Sequence, residues 1–223
     1  MKAPGATDPQ RIAAALSGLG LRPPPGAADA LADYLALLAK WNRAYNLTAV
    51  GDPGAMVVRH VADSAAALPF LRGTRMLDAG SGAGFPGLVL ALLAPETEWV
   101  LAESAGKKAR FLDHAVRHLG LRERVAVHAG RLESYRPEPR FDTVTARALA
   151  DLGLLARWAG PLLAPGGRLV ALKGRRSGVQ AELAATPAGW EARIEPVEVP
   201  GLGAERHMVV LERTDKGISE WAG

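Results

Sequence analysis

The sequence has no cysteine among its 223 residues, which excludes disulfides, a thiolate nucleophile and any cysteine-based metal site. It also has no uninterrupted apolar run approaching the ~18 residues of a membrane span. The opening segment, MKAPGATDPQ, lacks the apolar core of a secretion signal. A cytoplasmic protein without membrane contact is therefore expected. Internal repeats, low-complexity tracts and heptad arrays are missing as well, so solenoids and coiled coils drop out. What remains is long enough for one α/β domain with an appendage, and the apolar content of 48% is ordinary for a soluble enzyme. The formal charge is only +4, but it is unevenly spread: residues 1–75 hold eight Lys/Arg against five Asp/Glu, and 105–124 hold six against two. Such local surpluses suit phosphate contacts, although a solvated arginine-rich surface would carry the same balance.

The most informative stretch is Met76 to Gly87, MLDAGSGAGFPG, where an apolar run stops at an acid, turns through glycines and enters a second apolar run. Gly80, Gly82 and Gly84 lack the Cβ that would clash in a strand-to-helix turn, so backbone N–H groups can point into a ligand at the helix N-terminus. The glycines could also serve turn geometry alone, and Gly82, Gly84 and Gly87 satisfy a dinucleotide fingerprint. Two acids separate the possible ligands. Asp78 stands two residues before the first glycine, where a carboxylate repels a pyrophosphate but attracts the ammonium of an amino-acid-bearing nucleotide. That favours S-adenosylmethionine over NAD. Glu103 ends the run Trp99 to Ala102 and is placed to bond both hydroxyls of a ribose from the neighbouring strand end. Two solvated acids at strand ends are the plainer alternative.

Apolar patterning places strands at 76–79, 99–103, 125–128, 141–146 and 168–173, and helices at 86–93, 106–119 and from Leu152 to Leu162. This alternation predicts a parallel sheet. Two further runs, about 193–199 and 207–212, are joined by Pro200 to Arg206, a link too short for a crossover helix, and imply an antiparallel pair. Upstream, Asp8-Pro9 and Asp52-Pro53 read as N-caps followed by proline at the first helical position. The first starts a short helix with Ile12, Leu16 and Leu19; the second starts one with Val57, Val61, Ala65 and Leu68, ended by Pro69. Between them, after a Pro-Gly break, Leu31, Tyr34, Leu35, Leu38 and Trp41 mark one face of a longer helix. The expected architecture is α/β: a doubly wound, mostly parallel seven-stranded sheet with an antiparallel C-terminal strand. Residues 1–72 form an N-terminal helical cap packed on the sheet domain of 73–213, and 214–223 a loose tail.

An open sheet of this kind, with Asp78, the glycine loop and Glu103 in place, resembles a class I, Rossmann-like S-adenosylmethionine-dependent methyltransferase. The segments KWNRAYNLT, VRHVADS, DAGSGAGFPG, VTARALADL, LKG and ERHMVV, in this order, resemble the small-subunit ribosomal RNA 7-methylguanosine methyltransferases, also called glucose-inhibited division protein B, over roughly residues 10–213. The glycine loop is common to many methyltransferases; KWNRAYNLT, VRHVADS and TARA are the specific part. The resemblance implies methylation of N7 of a guanosine in 16S RNA, with S-adenosylmethionine as cofactor, no metal, and small-subunit RNA or the subunit itself as partner. It puts the cofactor on Gly80, Phe85, Leu132, Glu133 and Arg147. Loop amides suit a methionine carboxylate, Asp78 its ammonium, Glu103 the ribose, and Leu132-Glu133 the adenine, with plain core as the lesser alternative for Leu132.

Guanine N7 carries an in-plane lone pair and no proton at neutral pH, so its methylation needs no general base. Alignment then supplies the catalysis, of order 7–11 kcal/mol for well-oriented reactants. The absence of cysteine disfavours transfer to pyrimidine C5, and TARA lacks the Asn/Asp-Pro-Pro-aromatic pattern that resembles methylases of exocyclic amines. A bidentate arginine on guanine O6 and N7 would cover the reacting atom, so a donor must take O6 alone. Arg147 and Lys173, at the carboxyl ends of central strands, are the candidates for O6 or a neighbouring phosphate; a helix cap and a solvated strand end are the alternatives. Asn46, Arg59, His60, Asp63, Arg206 and His207 form a second ring expected along the RNA cleft, with Lys173, Arg175 and Arg176 as a basic loop for phosphates. Arg59 and Asp63 could instead be an i,i+4 ion pair. Methyl transfer to another RNA atom or a small molecule, a non-catalytic RNA-binding assembly factor, and a nicotinamide dehydrogenase are the competing functions. Nothing points to an obligate dimer, so a monomer is expected.

Overall fold

Aspartate caps start the first and third N-terminal helices. Asp8 Oδ1 accepts from the amide of Gln10 at 3.0 Å and opens α1 (Pro9–Gly18). Gly26, at φ 78°, turns the chain into α2 (Ala27–Tyr45), and Asp52 Oδ1 accepts from Ala55 N at 2.7 Å to open α3 (Pro53–Met56). The third helix differs from the regular one expected. After α3 it widens into a π-helical turn, Val57–Ala62, returns to α geometry in α4 (Asp63–Ala65), and ends in a 3₁₀ turn around Pro69. The structure, a computed structural model, describes residues 8–214. The tail expected from 214 therefore lies, apart from Thr214, outside the described residues.

The rest alternates as β1 (Arg75–Ala79), α5 (Gly87–Leu93), β2 (Glu98–Glu103), α6 (Gly106–His118), β3 (Val125–Ala129), β4 (Phe141–Arg147), α7 (Leu152–Ala159), β5 (Leu163–Lys173), α8 (Arg176–Leu183), β6 (Trp190–Pro196) and β7 (His207–Arg213). The seven strands form one sheet in the order β3-β2-β1-β4-β5-β7-β6, with β7 antiparallel to both neighbours. Three details depart from the sequence pattern. β5 begins at Leu163, five residues before the expected strand and through the Pro165-Gly166-Gly167 stretch, since Leu163 pairs with Phe141 ahead of a register shift. α8 was not expected, because Val179 is its one buried residue and leaves no apolar stripe to read. β6 begins at Trp190, three residues before the expected strand, since its register against β7 runs from Trp190↔Arg213 to Pro196↔His207.

Side chains alternate across the sheet with period two. Met76, Trp99, Leu101 and Val170 face a core shared with α1, α2, α5 and α6, which contribute Ile12, Leu35, Leu88 and Phe111. Leu77, Val144, Ala146 and Leu169 face the opposite layer, filled by Leu155 of α7 and Val179 of α8. All seven residues of α5 are buried, so this helix is clamped between the sheet and the N-terminal helices. β1 pairs in parallel with β2 on one side and β4 on the other. The loops after β1 and β4 therefore diverge, and a crevice opens at the carboxyl ends where Ala79, Glu103, Arg147 and Lys173 terminate their strands.

Candidate active site

The glycine loop is fixed from beneath and from the side. Asp78 is fully buried: its Oδ2 accepts from Gly87 N at 2.9 Å and its Oδ1 from Thr145 Oγ1 at 3.0 Å. Burial raises its pKa to about 6, against the opposing effect of these bonds and of Arg147. The residue read as an ammonium partner thus ties the start of α5 to β1 and β4, and does not line the adjoining cavity. Gly84, at φ 99°, also faces away from a ligand: a Cβ there would lie 2.6 Å from the Tyr34 hydroxyl and 2.7 Å from Leu88 Cδ1. Tyr34, fully buried on α2, donates to the carbonyl of Ala83. Its place on the apolar face of α2 is legible in the sequence; its hydroxyl bond to the loop is not.

Above the loop lies a cavity of about 290 Å³ lined by Gly80, Gly82, Glu103, Leu132, Glu133 and Leu149, among others. Glu103 bridges cavity and loop, accepting from Gly82 N at 2.8 Å through Oε2 and from Ala105 N at 2.7 Å through Oε1. Each carboxylate oxygen keeps a lone pair for a further donor. Gly80, at φ 67°, holds a backbone conformation that strains any side chain, and a Cβ there would also have to displace Leu149 Cδ1, 2.5 Å away. The donor set fits a nucleoside: an acceptor carboxylate at one wall, the apolar side chain of Leu132 at another, and Glu133 beyond it.

A second cavity, about 410 Å³, adjoins the first, and Ala148 lines both. Its walls bring together Arg59, His60, Asp63, Arg147, Lys173 and Arg206. The alternative of an Arg59–Asp63 ion pair gives way to contacts across the fold: Asp63, with its side chain 3% exposed, takes Arg147 Nη1 on Oδ2 at 3.1 Å and Arg206 Nε on Oδ1 at 2.5 Å. Arg147 Nη1 also donates to the Arg59 carbonyl at 3.0 Å, and its guanidinium lies 5.2 Å from the Phe85 ring centre. Phe85 lines neither cavity; it stacks on His60 at 4.3 Å and stands between Arg147 and Tyr34. His60 is held near pKa 4, first by burial and then by Arg147, so it is neutral. Nδ1 then donates to the Arg59 carbonyl at 3.1 Å, and Nε2 accepts from Thr48 Oγ1 at 2.8 Å.

Other expected site residues sit differently. Lys173 Nζ is committed to the Ala150 carbonyl and to Glu182 Oε2, both at 2.7 Å, and so braces the loop after β4 against α8. His207 is buried with Nδ1 at 2.7 Å from the Gly174 carbonyl. Asn46 is exposed and closes α2 in the left-handed conformation at φ 50°. Its neighbour Asn42 does the local bonding, on both backbone groups of Thr48. Arg175 is exposed, and Arg176 lies in a third groove beyond Arg206.

A family model described as rRNA small subunit methyltransferase G matches residues 27–209. A ribosomal RNA small subunit methyltransferase G from Herminiimonas arsenicoxydans is 45% identical over 189 residues, covering 82% of this chain and 85% of the relative. One from Aromatoleum aromaticum is 45% identical, covering 89% and 95%. The chain belongs to the rRNA small subunit methyltransferase G family. Solved structures agree on the fold: a putative O-methyltransferase from Klebsiella pneumoniae has TM-score 0.58 at 17% identity, covering 89% of this chain and 94% of that one. Aeropyrum pernix fibrillarin, solved with S-adenosyl-L-methionine, has TM-score 0.55 at 20% identity over 68% of this chain and 76% of its own.

In this member of the methyltransferase G family, two buried groups of the site oppose each other in their pH dependence. Asp78, ordinarily near 3.8, titrates near 6 when folded, so between these values the folded protein holds a proton the unfolded chain has lost, and its contribution to stability falls as pH rises. His60, ordinarily near 6.5, titrates near 4, so there the unfolded chain holds the extra proton and the contribution rises with pH. Relative to the parent protein, Asp78→Asn is therefore expected to steepen the gain of stability with pH between about 4 and 6, and His60→Gln to reverse it. Urea unfolding across that range reads both slopes, and parallel profiles for all three proteins would reject the assignment.

Proposed function

We propose that this protein transfers the methyl group of S-adenosylmethionine to N7 of one guanosine in small-subunit ribosomal RNA. The observation that supports this most directly is the pairing of a cavity lined by Glu103 and Glu133, as well as Lys108 and Arg131, with a second cavity carrying four cationic side chains and one carboxylate, both lined by Ala148 just after β4. S-adenosylmethionine supplies a methyl group made electrophilic by its sulfonium. Glu103 and the Leu132 wall would hold and orient that nucleoside, whereas the loop amides of Ser81, Gly82, Gly84, Phe85 and Gly87, expected to face the ligand, donate within the protein. Arg59, Arg147 and Arg206 offer donors to guanine O6 and to the phosphates beside it. Arg147 keeps Nε and Nη2 for this purpose, since its bonds among the described residues use Nη1.

No residue is required as a base, because N7 is unprotonated, and none is offered by His60, whose two ring nitrogens are engaged. Catalysis then rests on alignment of the two cavities across Ala148. The residues up to 72 act as the RNA-facing cap, contributing Val50, Arg59, His60 and Asp63 to the basic cavity. In this reading the protein acts as a monomer in the cytoplasm; no helix among the described residues is long and apolar enough to cross a membrane. Incubation with methyl-labelled cofactor and small-subunit RNA is expected to yield 7-methylguanosine on nuclease digestion. Label confined to another nucleoside would overturn N7 as the target, and no label in RNA would overturn the enzyme reading.

A further inference from the structure

Beyond the basic cavity runs a groove of about 770 Å³, formed where the loop 197–206 passes the start of α8. Arg206 lines both. The groove is well braced: Val197 N donates to the Arg206 carbonyl at 2.9 Å, Leu202 N to the Val199 carbonyl at 3.1 Å, and Val199 is buried in the core shared with the N-terminal helices. Its chemistry is mixed. Pro196, Val197 and Pro200 give apolar walls, Arg176 and Arg206 give cations, and two carboxylates face them: Glu205, whose Oε2 accepts from the Arg176 amide at 3.3 Å, and Glu198, exposed and with no hydrogen bond or ion pair among the described residues.

Given the RNA-methylating reading above, on which this step rests, we propose that the groove seats the nucleotide adjacent to the methylated guanosine and selects a base carrying an exocyclic amine. A chain whose target base occupies the basic cavity must continue past Arg206, and the phosphate linking the two nucleotides then passes between Arg206 and Arg176. The volume falls within the range of ligand pockets, about 300–1,000 Å³. The apolar walls suit a base or ribose face. Glu198 accepts hydrogen bonds only, so it pairs with an amino group, as carboxylates do with cytosine N4. Uracil has no amine, and its one ring donor is flanked by two carbonyl oxygens that a carboxylate repels. Uridine is therefore the nucleotide excluded. A protein ligand fits less well, because the groove continues into a cavity dominated by arginine.

The test begins by mapping the methylated guanosine with the unmodified enzyme. Small-subunit RNA, free or reconstituted into subunits, is then transcribed with each neighbour of that guanosine changed in turn to uridine. Uridine at one of the two positions is expected to lower kcat/KM about five- to tenfold, the size of a single lost base contact. Glu198→Ala should show the same reduction on unmodified RNA and no further loss with uridine, while its thermal unfolding and S-adenosylmethionine affinity stay unchanged. The proposal is overturned if uridine is tolerated at both positions, if both natural neighbours are uridine, or if Glu198→Ala discriminates as the parent does. Formation of 7-methylguanosine without neighbour dependence removes the groove and leaves the enzyme reading intact. Failure to form it at all removes both.

Discussion

Gly84→Ala is expected to destabilise the protein by about 3 kcal/mol, the sum of a left-handed backbone penalty of about 1–2 kcal/mol and an overpacking cost of similar size. In a chain of this length that lowers the melting temperature by about 6–12 °C. The cause is local and named: a methyl group at 2.6 Å from the Tyr34 hydroxyl must push α2 away from the loop, or push the loop into the nucleoside cavity. S-adenosylmethionine affinity should fall with stability, since Gly82 and Glu103 are bonded through the same loop. Tyr34→Phe provides the control. Alone it leaves the Ala83 carbonyl without its donor and costs about 1 kcal/mol. Combined with Gly84→Ala it removes one of the two atoms in the way, leaving Leu88 Cδ1 at 2.7 Å, so the double variant should be more stable than the sum of the two changes predicts. Strict additivity in differential scanning calorimetry would show that Tyr34 does not set the limit at position 84.

Arg147→Ala should lower kcat/KM for RNA about 100-fold, equivalent to about 2.7 kcal/mol of transition-state stabilisation. It removes one of two cations from Asp63 and the guanidinium beside Phe85, and it leaves the Arg59 carbonyl without that donor. Arg147→Lys should not restore activity, because an ammonium cannot reproduce the planar donor set or its stacking. The family resemblance assigns Arg147 to the cofactor, whereas the structure puts it in the wall of the basic cavity and not of the nucleoside cavity. The two roles separate in one pair of measurements. A wall residue gives a large loss with RNA and S-adenosylmethionine affinity within about threefold of the parent. An equal loss in both would return Arg147 to the cofactor.

The strand, loop and helix of the nucleoside site are legible in the sequence because each has a local signal: an apolar run, glycines, then another apolar run. What local signals do not carry is direction. Asp78 and Glu103 look alike as acids at strand ends, yet one is wholly enclosed by Gly87 and Thr145, and the other reaches the cavity wall. The same limit hid the partners of Asp63, since Arg147 and Arg206 lie 84 and 143 residues away along the chain. Lys173 shows it again: its basic character suggests phosphate, and Glu182, on a helix with almost no apolar pattern, takes it instead. Thr48 and Tyr34 carried no signal as polar partners, for the sequence marks a buried position but not which atom its hydroxyl meets.

The π-helical turn at Val57–Ala62 has a bearing on how this segment can evolve. A turn of that kind accommodates one residue more than an α turn, and each residue of an α-helix is offset from the next by about 100° around the axis. Loss of a single amino acid there would let the segment wind regularly and swing either the imidazole of His60 or the carboxylate of Asp63 out of the wall they share. Its spelling is open to variation at Val58, which is only partly buried. Its residue count is not: homologous chains that keep this wall should preserve the length of the segment more strictly than its letters.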